Sequence, residues 1–593
     1  MMNCRRKVFF LGLLAILFMP ALAAASARHV SLAGDDLGPG TQARPWRTIA
    51  HAAAVLQPGD TVLIHRGRYY ETIDVTVSGT PGNFITFRNY GTDEVIIDGR
   101  RASASETVLL RISKCHHLRF SGLHFTAFQG RDRDGVRIDQ GASQIEFIGN
   151  RISEIAFSAD PAAKADEDDN ARPLIVLGDD PAHSCRAVTI SDNEIFSCRP
   201  GYSEALALNG NVEDFVVSCN RVHDITNIGI DCIGFEETVS DPDRDRARHG
   251  RCCGNLVYNC LSPYADAAGI YVDGGRDIVI ENNIVHDCQW GIEVGCEHPG
   301  KRTEGIVVRD NFLYHNRVAG VALGGYDYPD ASGTVSDCLI RNNTLMFNNA
   351  RHDWQGEMAF SHASDCTVVN NIFYGDGEEP LLVMEIPAGS GNRFDYNLWY
   401  GTAVVGGFWA EIVGVEYNDL AAWRSATGWG LHSLAVAPGL PDVKNVPLDC
   451  SLLPGSPVID AGDPQTLVAA GEMDCRRRQR RVGPAIDIGA AEYGNTTLCS
   501  QPLFKVGNCF YDTLTAAATA AAAGNGVVQW KSHILAGELS EDFQCSAGAS
   551  EYLLLQGGCD CDFNPGHGFS TLAGTLTIVA GHLEVEALII TGR

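Results

Sequence analysis

The sequence predicts an all-β fold, a right-handed parallel β-helix in which each coil is built from three short strands. The first observation is an Asn, often doubled or preceded by Asp, that recurs between short β-rich runs such as IVIENNIVHDC and IVVRDNFLYHN. Second, these Asn residues lie 27 to 35 residues apart, a period typical of a solenoid: Asn193, Asn220, Asn255, Asn283, Asn311, Asn343 and Asn371. Third, a run that begins with Gly, such as GIYVDG or GIEVGC, separates successive Asn turns.

Stacking explains why such short strands are stable. Three strands of a few residues cannot bury an apolar face alone, but coils stacked about 4.8 Å apart give every strand a hydrogen-bonded neighbour and one continuous core. Asn suits the turn because its amide can bond its counterpart in the next coil and because it tolerates a left-handed backbone. A leucine-rich repeat has a similar period, but its repeated Leu frame and helical segments are missing from this sequence.

The ends of the stack need closure, because an open strand edge invites aggregation. The segment Trp46 to Leu56 predicts an amphipathic helix ended by Pro58-Gly59, directly before the first strands, TVLIHRG. The Asn repeat fades past about residue 405, where GSPVIDAGDP and AIDIGAAEY predict a small β closure. In the last segment, Tyr511 to Leu514, an Ala-rich run and VVQWKSHILAGEL echo the first cap and strands, which suggests a partial second β-helix.

The N-terminus predicts export. Arg5, Arg6 and Lys7 precede an apolar run and a small-residue stretch that ends at Ala27, which is the plan of a cleaved secretory signal. We therefore expect a signal peptide (1–27), a capped β-helix (28–405), a closure or anchor-like module (406–496) and the partial second module (497–593). The chain has 593 residues, 45% of them hydrophobic, and a formal charge of −28, which argues against wholesale disorder and against nucleic acid as a partner.

Cysteines follow the repeat. Cys198, Cys260 and Cys288 each lie five residues after a repeat Asn, so we expect their side chains to stack on successive coils. Adjacent coils are close enough for a disulfide, and stacked thiols fill a core equally well. Export makes disulfides possible without requiring them.

The stretch GDDLGPGTQARPWRTIAHAAAVLQPGDTVLIHRGRYYETI, followed by SGTPGNFITFRNY and VIIDG, resembles the opening of right-handed β-helix proteins of the pectate-lyase-like superfamily. That superfamily includes polysaccharide lyases and uronan epimerases. The GSPVIDAG and IDIGAAEY segments resemble a C-terminal module with a proposed anchoring role. The resemblance covers residues 30–493 and implies fold and export, but the fold hosts several chemistries, so the reaction has to be argued from the site.

Alternation along the Gly-led strands sends their third and fifth positions to the outer face. On consecutive coils this places Asp231, then Tyr271 with Asp273, then Glu293, in one patch in which Asp231 and Glu293 are roughly 9–10 Å apart. We expect this patch to carry catalysis. Its three carboxylates, Asp231, Asp273 and Glu293, could bind Ca²⁺, or one of them could become a general acid through a raised pKa.

Basic residues near this face are few. Lys301 lies in the loop directly after the strand of Glu293 and is our first candidate for a catalytic base, with His298 and Arg302 beside it as substrate ligands. The Arg-rich loop 241–251 supplies two further candidates for substrate binding, Arg244 and Arg246. His223 and His286 share one repeat position, which favours a stacking role for them over catalysis.

Together these features favour a secreted or cell-surface protein that acts on an acidic polysaccharide, as a lyase or epimerase of uronic-acid polymers. A glycoside hydrolase is the first alternative, because two carboxylates about 9 Å apart suit an inverting mechanism. The second alternative is a non-enzymatic surface protein that binds glycan along its flat face. The sequence leaves the polymer and the identity of the base open.

Overall fold

The computed structural model describes residues 27–494, apart from 92, 326–331, 442–447 and 470, and the strands between 504 and 591. It confirms the right-handed parallel β-helix. Within each coil the chain passes through three sheets, here named A, B and C in the order in which it meets them. Each strand pairs in parallel with the equivalent strands of the coils before and after it.

Sheet A consists of Ala27–Val30, Thr61–Ile64, Ile85–Asn89, His116–Ser121, Ser143–Ile148, Cys185–Ser191 with Val212–Glu213 beside it, Val216–Ser218, Arg251–Cys253, Val279–Glu281, Val307–Arg309, Leu339–Arg341, Thr367–Val369 and Arg393–Asp395. Sheet B consists of Gly67–Tyr69, Val95–Asp98, Leu123–Thr126, Arg151–Ser153, Glu194–Cys198, Arg221–Ile225, Leu256–Cys260, Ile284–His286, Phe312–Tyr314, Thr344–Met346, Ile372–Gly375 and Leu398–Gly401. Sheet C consists of Ile73–Val75, Val108–Ser113, Arg133–Asp139, Ala171–Gly178, Leu206–Gly210, Ile230–Ile233, Ala268–Asp273, Trp290–Gly295, Ala319–Leu323, Met358–Phe360, Leu382–Met384, Ala410–Ile412 and Val415–Tyr417.

The predicted Asn ladder lies at the turn from sheet A to sheet B. It runs from Asn150 through the seven repeat positions to Asn397, whose backbone N–H is accepted by Ser433. In the repeated unit, the side-chain oxygen of one Asn accepts both the backbone N–H and the Nδ2 of the Asn in the preceding coil, at 2.9–3.0 Å for Asn255 and Asn283. The ladder therefore satisfies polar groups that the core would otherwise bury unpaired.

The left-handed backbone belongs to the residue before each ladder Asn. Positive φ values occur at Asn282 (54°), Asp310 (56°), Asn342 (52°) and Asn370 (59°), and the ladder residues that follow them are absent from the positive-φ set. This corrects our expectation for the ladder Asn itself. It also explains the Asn-Asn and Asp-Asn doublets, since Asn and Asp are the residues other than Gly that most readily adopt this conformation.

Other repeat positions form ladders as well. On the outer side of sheet B the rings of His223, Tyr258, His286 and Tyr314 stack with centroids 4.7–5.0 Å apart, as expected for the two histidines. Cys198, Cys260 and Cys288 are buried inside the coil, as predicted. The aromatic ladder follows the strand register. Of these three cysteines only Cys260 and Cys288 lie on successive coils, because Ile225 stands between Cys198 and Cys260 in the register, which corrects the predicted stack.

A helix closes the N-terminal end. It spans Ile49–Val55, shorter than the predicted 46–56, and buries Ile49, Ala52 and Ala53 against the first coil. Thr48 caps it, and the Glu71 carboxylate accepts the N–H groups of Ile49 and Ala50. The first turn thus finds partners for donors that a helix leaves unpaired.

The C-terminal end is closed by an antiparallel strand pair and a second helix. Val415–Tyr417 turns back on Ala410–Ile412, and the helix Leu420–Thr427 follows, capped by Asp419 and ended by Gly428 at φ 75°. The predicted boundary at residue 405 precedes these elements. Trp423 of this helix is fully buried against the aromatic side chains of the last coils.

Beyond the cap, the chain returns along the flank of the β-helix. Leu440, Leu448, Val458 and Ile488 pack on the outer side of sheet B. The Arg480 guanidinium, with no exposed side-chain surface, pairs with Asp310 at 3.5 Å and with Glu492 at 3.4 Å. The described residues between 440 and 494 therefore form a side segment held by both apolar contacts and buried charges.

Three short strands, Arg302–Glu304, Thr334–Ser336 and Ala363–Ser364, form a small sheet in the loops that lead from sheet C to sheet A, and Gly99–Arg101 is a single 3₁₀ turn. The last module contains Phe504–Val506, Cys509–Tyr511, Val527–Lys531, Phe543–Ser546, Tyr552–Cys559, Ser570–Ala573, Leu576–Ala580, His582–Glu586 and Leu588–Thr591. Residues 1–26 of the predicted signal peptide (1–27) and most of the Ala-rich run lie outside the described residues. Among the described residues, none of the helices has the length and apolarity to cross a membrane.

Candidate active site

The predicted patch is assembled on the outer face of sheet C. Asp231 is in register with Tyr271, and Tyr271 is in register with Glu293. Asp273 lies two residues further along the middle strand, next to Gly295. The structure therefore brings all four residues together on three consecutive coils, with Asp231 and Glu293 two strand spacings, roughly 9–10 Å, apart.

Two loops cover this patch. The side chains of Asp231 and Asp273, on an outer face expected to be open, belong to residues that are 3% and 4% exposed, and Tyr271 is 4% exposed. The covering residues are Phe235 and Glu236 after one strand, and Glu297 and His298 after the next but one. Loops that follow sheet C thus convert a flat face into a recess.

Hydrogen bonds tie the loops to the patch. Glu297 donates its backbone N–H to Asp273 Oδ1 at 2.7 Å, and its side chain accepts the Tyr271 hydroxyl at 3.2 Å. His298 Nε2 lies 3.1 Å from Glu236 Oε1 and 4.0 Å from Asp273 Oδ2. Asp231 Oδ1 is buried without a hydrogen-bond partner, which is costly for a carboxylate.

Burial and the crowding of acids raise the pKa of three carboxylates of the predicted patch, those of Asp231, Asp273 and Glu293. Burial, with Glu297 next to it, raises the pKa of Asp273 to about 8. Burial and the same neighbour raise the pKa of Glu293 to about 8. Burial and the carboxylates of Glu204 and Asp273 raise the pKa of Asp231 well above its usual range. Near neutral pH the recess therefore holds protons, unless a cation replaces them.

The sequence did not predict three acids of the recess: Glu204, Glu236 and Glu297. Glu236 and Glu297 stand in loops just past the strands, so strand alternation carries no information on where they point. Glu204 precedes its strand, and burial raises its pKa to about 7. The acid-rich loop sequences FEE and CEH were the available signal.

The donor set suits a divalent cation. Among the described residues, ligand atoms of Glu236, Asp273 and His298 all lie within 4.8 Å of one another. This differs from the predicted set of Asp231, Asp273 and Glu293, which shares Asp273 with it. The partnerless oxygen of Asp231 is a second indication of a missing positive charge. Carboxylate oxygens are the ligands of Ca²⁺, whereas a His nitrogen is more usual for transition metals.

The predicted basic residues lie around the rim or are engaged elsewhere. Lys301 is exposed, with Nζ 5.3 Å from the centre of the Phe235 ring. Arg302 is exposed, and Arg244 is exposed and donates to the Pro181 carbonyl. Arg246 differs from expectation, because its residue is 4% exposed and its guanidinium donates to Gly275 and Arg302 carbonyls. The Arg246 side chain therefore holds its own loop in place. Of the predicted substrate ligands, Arg244, Arg302 and His298 remain candidates.

An arginine cluster lies on the same face, towards the N-terminal end. Asp134 accepts Nε of Arg137 at 2.6 Å and Nε of Arg172 at 2.8 Å, and Arg111 is in register with Arg137. The strand register continues from Arg137 through Ile175 and Ala207 to Asp231. Along a single column of sheet C, the positively charged region is therefore followed by two apolar residues, Ile175 and Ala207, and then by the acidic recess.

Two family models agree with the fold. Residues 28–165 match a family model described as Pel9A-like, right handed beta helix region, and residues 268–420 match a right handed beta helix region. Among solved structures, pectate lyase Pel9A is 13% identical, with a TM-score of 0.41, over 79% of this chain and 97% of that chain. A GH136 lacto-N-biosidase from Eubacterium ramulus is 15% identical, with a TM-score of 0.43, over 62% of this chain and 67% of that chain.

A sequence relative is much closer than these structures. The uncharacterized protein YwoF of Bacillus subtilis (strain 168) is 34% identical over 443 residues, which are 72% of this chain and 91% of YwoF. That match spans nearly the whole relative. The chain therefore belongs to the family of YwoF, whose fold here is a right-handed parallel β-helix.

Proposed function

We propose that this protein is an exported, carbohydrate-active enzyme that acts on an acidic polysaccharide as a cation-assisted lyase or epimerase. One observation carries the proposal: buried carboxylates converge on Tyr271 in a recess of sheet C, and one of their oxygens lacks any partner. Buried, crowded and pKa-shifted groups in a recess are typical of catalytic sites. The predicted signal peptide favours export. One protein of similar fold, pectate lyase Pel9A, has the name of a polysaccharide lyase.

The recess suits removal of a proton next to a sugar carboxylate. A divalent cation held by Asp273, Glu236 and Asp231 would neutralise the substrate carboxylate and make the adjacent C–H more acidic, which leaves His298 free for proton transfer. His298 stands at the mouth, and its hydrogen bond with Glu236 raises its pKa. The Tyr271 hydroxyl, held by Glu297 at 3.2 Å, is positioned to give or take a proton. These two side chains replace Lys301 as our first candidates for the acid and base pair, since Lys301 lies beside Phe235 at the rim.

The arginine cluster supports an anionic substrate. Arg137 and Arg172 share the single carboxylate of Asp134, so that one positive charge of the pair is not compensated there. Their side chains are 21% and 22% exposed, which leaves part of each guanidinium accessible. Guanidinium groups bind carboxylates in a two-pronged geometry. A polysaccharide laid along the column would thus place an acidic sugar over Arg137 while another occupies the recess.

A glycoside hydrolase is the second candidate, and one observation favours it. Asp231 and Glu293 are two strand spacings apart, within the range that leaves room for a water in an inverting mechanism. With a pKa of about 8, Glu293 would be protonated near neutral pH, as a general acid must be. In that mechanism Asp231 would have to stay ionised as the base.

Product analysis separates these reactions. The secreted protein is incubated with pectate, alginate and neutral glycans, with Ca²⁺, with Mn²⁺ or with a chelator. A lyase yields unsaturated ends that absorb in the ultraviolet, a hydrolase yields reducing ends without that absorbance, and an epimerase incorporates solvent deuterium without cleaving the chain. We expect a cation-dependent lyase or epimerase signal on an acidic polymer that Asp231→Asn and His298→Gln abolish.

The matched control is Glu411→Gln, because Glu411 lies in the same outward column at its far end. That variant should keep full activity. Binding of acidic polymer without any turnover, unaffected by Asp231→Asn, would instead favour the non-enzymatic surface protein. The anchoring role of the side segment belongs to that alternative and stays a prediction.

A further inference from the structure

Two cysteines of the side segment are in direct contact. The sulfur atoms of Cys450 and Cys475 are 2.8 Å apart. Even carbon atoms, which are smaller, stay about 3.5–4.0 Å apart in non-bonded contact. Cys450 is 7% exposed, and Cys475 is partly buried. Two reduced thiols have no reason to approach so closely inside a packed segment.

Cysteines inside the coil behave differently. Cys260, Cys288, Cys338 and Cys366 each direct their sulfur to the backbone carbonyl two residues earlier, at 3.2–3.8 Å. That contact is the one expected of a thiol that acts as a weak donor. The side chains of Cys260 and Cys288, and those of Cys338 and Cys366, also interact with each other. What distinguishes Cys450 and Cys475 is the short distance of 2.8 Å between their sulfurs.

The loop between the two cysteines crosses four coils. Asp463 pairs with Arg393 at 2.8 Å, and Thr466 accepts Nδ2 of Asn370 at 3.0 Å. Glu472 pairs with Arg341 at 2.7 Å and with Arg309 at 2.6 Å. These partners belong to, or directly follow, four consecutive strands of sheet A. A covalent link between the ends of this loop would hold it against all four.

We propose that Cys450 and Cys475 form a disulfide bond in the mature protein, which closes the loop that clamps the side segment to the β-helix. The oxidant is a disulfide of the kind that exchanges with exported proteins. Cys450 thiolate attacks it and releases one thiol, and Cys475 thiolate then attacks the Cys450 sulfur and releases the second thiol. Two electrons and two protons thus pass from the cysteine pair to the oxidant.

The test is two-step labelling of the secreted protein. It is denatured without reductant and alkylated with iodoacetamide, then reduced and alkylated with N-ethylmaleimide, and digested with trypsin. Cleavage after Lys444 and Arg476 releases both cysteines in one peptide. We expect both to carry the second label, and that peptide to be two hydrogens lighter in the unreduced digest. The first label on Cys450 and Cys475 would overturn the proposal.

A second measurement tests the clamp. Native protein is exposed to thermolysin with and without a reductant, and cuts between residues 451 and 474 are mapped. We expect the reductant to accelerate cleavage at least tenfold, and Cys450→Ser/Cys475→Ser to be cut at that fast rate in either condition. The control Cys338→Ser/Cys366→Ser should keep the dependence on reductant. Equal cleavage of the wild-type loop in both conditions would show that no covalent clamp exists.

Discussion

Replacing Asn283 by Ala tests whether the Asn ladder holds the coils together. Asn283 is fully buried and makes four side-chain hydrogen bonds: Nδ2 donates to the Cys252 carbonyl and to Asn311 Oδ1, and Oδ1 accepts two N–H groups of Asn255. Alanine would leave two or three of these groups buried without a partner. At about 1–3 kcal/mol for each orphaned group, the free energy of unfolding should fall by about 2–9 kcal/mol.

Guanidinium denaturation followed by circular dichroism and tryptophan fluorescence measures this loss. The control is Asn83→Ala, because Asn83 is exposed in a surface turn and should change stability by less than about 0.5 kcal/mol. A loss below about 1 kcal/mol for Asn283→Ala would refute the reasoning. The ladder would then be a passive consequence of stacking.

Three further predictions concern buried groups away from the recess. Glu357 accepts two N–H groups of Asn348, and burial raises its pKa from 4.5 to about 8, so the folded state keeps a proton that the unfolded chain releases. Stability should therefore fall as the pH rises from about 5 to about 8, by at most about 1.4 kcal/mol per pH unit, and Glu357→Gln should flatten this slope in denaturation curves at each pH. Trp423→Ala should cost about 3–5 kcal/mol in the same assay, because it empties the core of the C-terminal cap. Arg480→Ala should cost about 3–5 kcal/mol, because it removes the buried cation that pairs with both Asp310 and Glu492. An unchanged denaturation curve together with faster proteolysis of the side segment would show that the segment unfolds separately.

Periodicity explains how much of the fold the sequence could predict. The ladder Asn recurs in every coil from Asn150 to Asn397. Each copy reports the same turn, so errors at one position are corrected by the others. We expected the left-handed backbone at the ladder Asn, whereas it lies at the residue before it. The reason is that an Asn-Asn doublet does not show which of the two Asn residues has the positive φ. The cap helix Leu420–Thr427 was not predicted, although Asp419 and Gly428 mark its two ends, because it occurs once and lies outside the repeat.

The candidate site shows the same difference between residues on repeated strands, which could be predicted, and residues in loops, which could not. Asp231, Tyr271 and Glu293 lie on strands, where alternation and register fix both direction and neighbour. Glu236 and Glu297 reach the recess from loops, whose course depends on tertiary contacts such as the bond between Glu297 N–H and Asp273. The burial of Arg246 was equally hidden, since a run of charged residues usually indicates a solvated turn.

Two of the three turns in each coil, here also called corners, are under different constraints. The turn from sheet A to sheet B carries the ladder and cannot change length without breaking it, whereas the passage from sheet C back to sheet A absorbs insertions such as residues 234–250. Those insertions are also the walls of the recess. Evolution can therefore remodel what the protein binds by lengthening one corner while the scaffold keeps its register, and the same corner is where a protein engineer could graft a new loop.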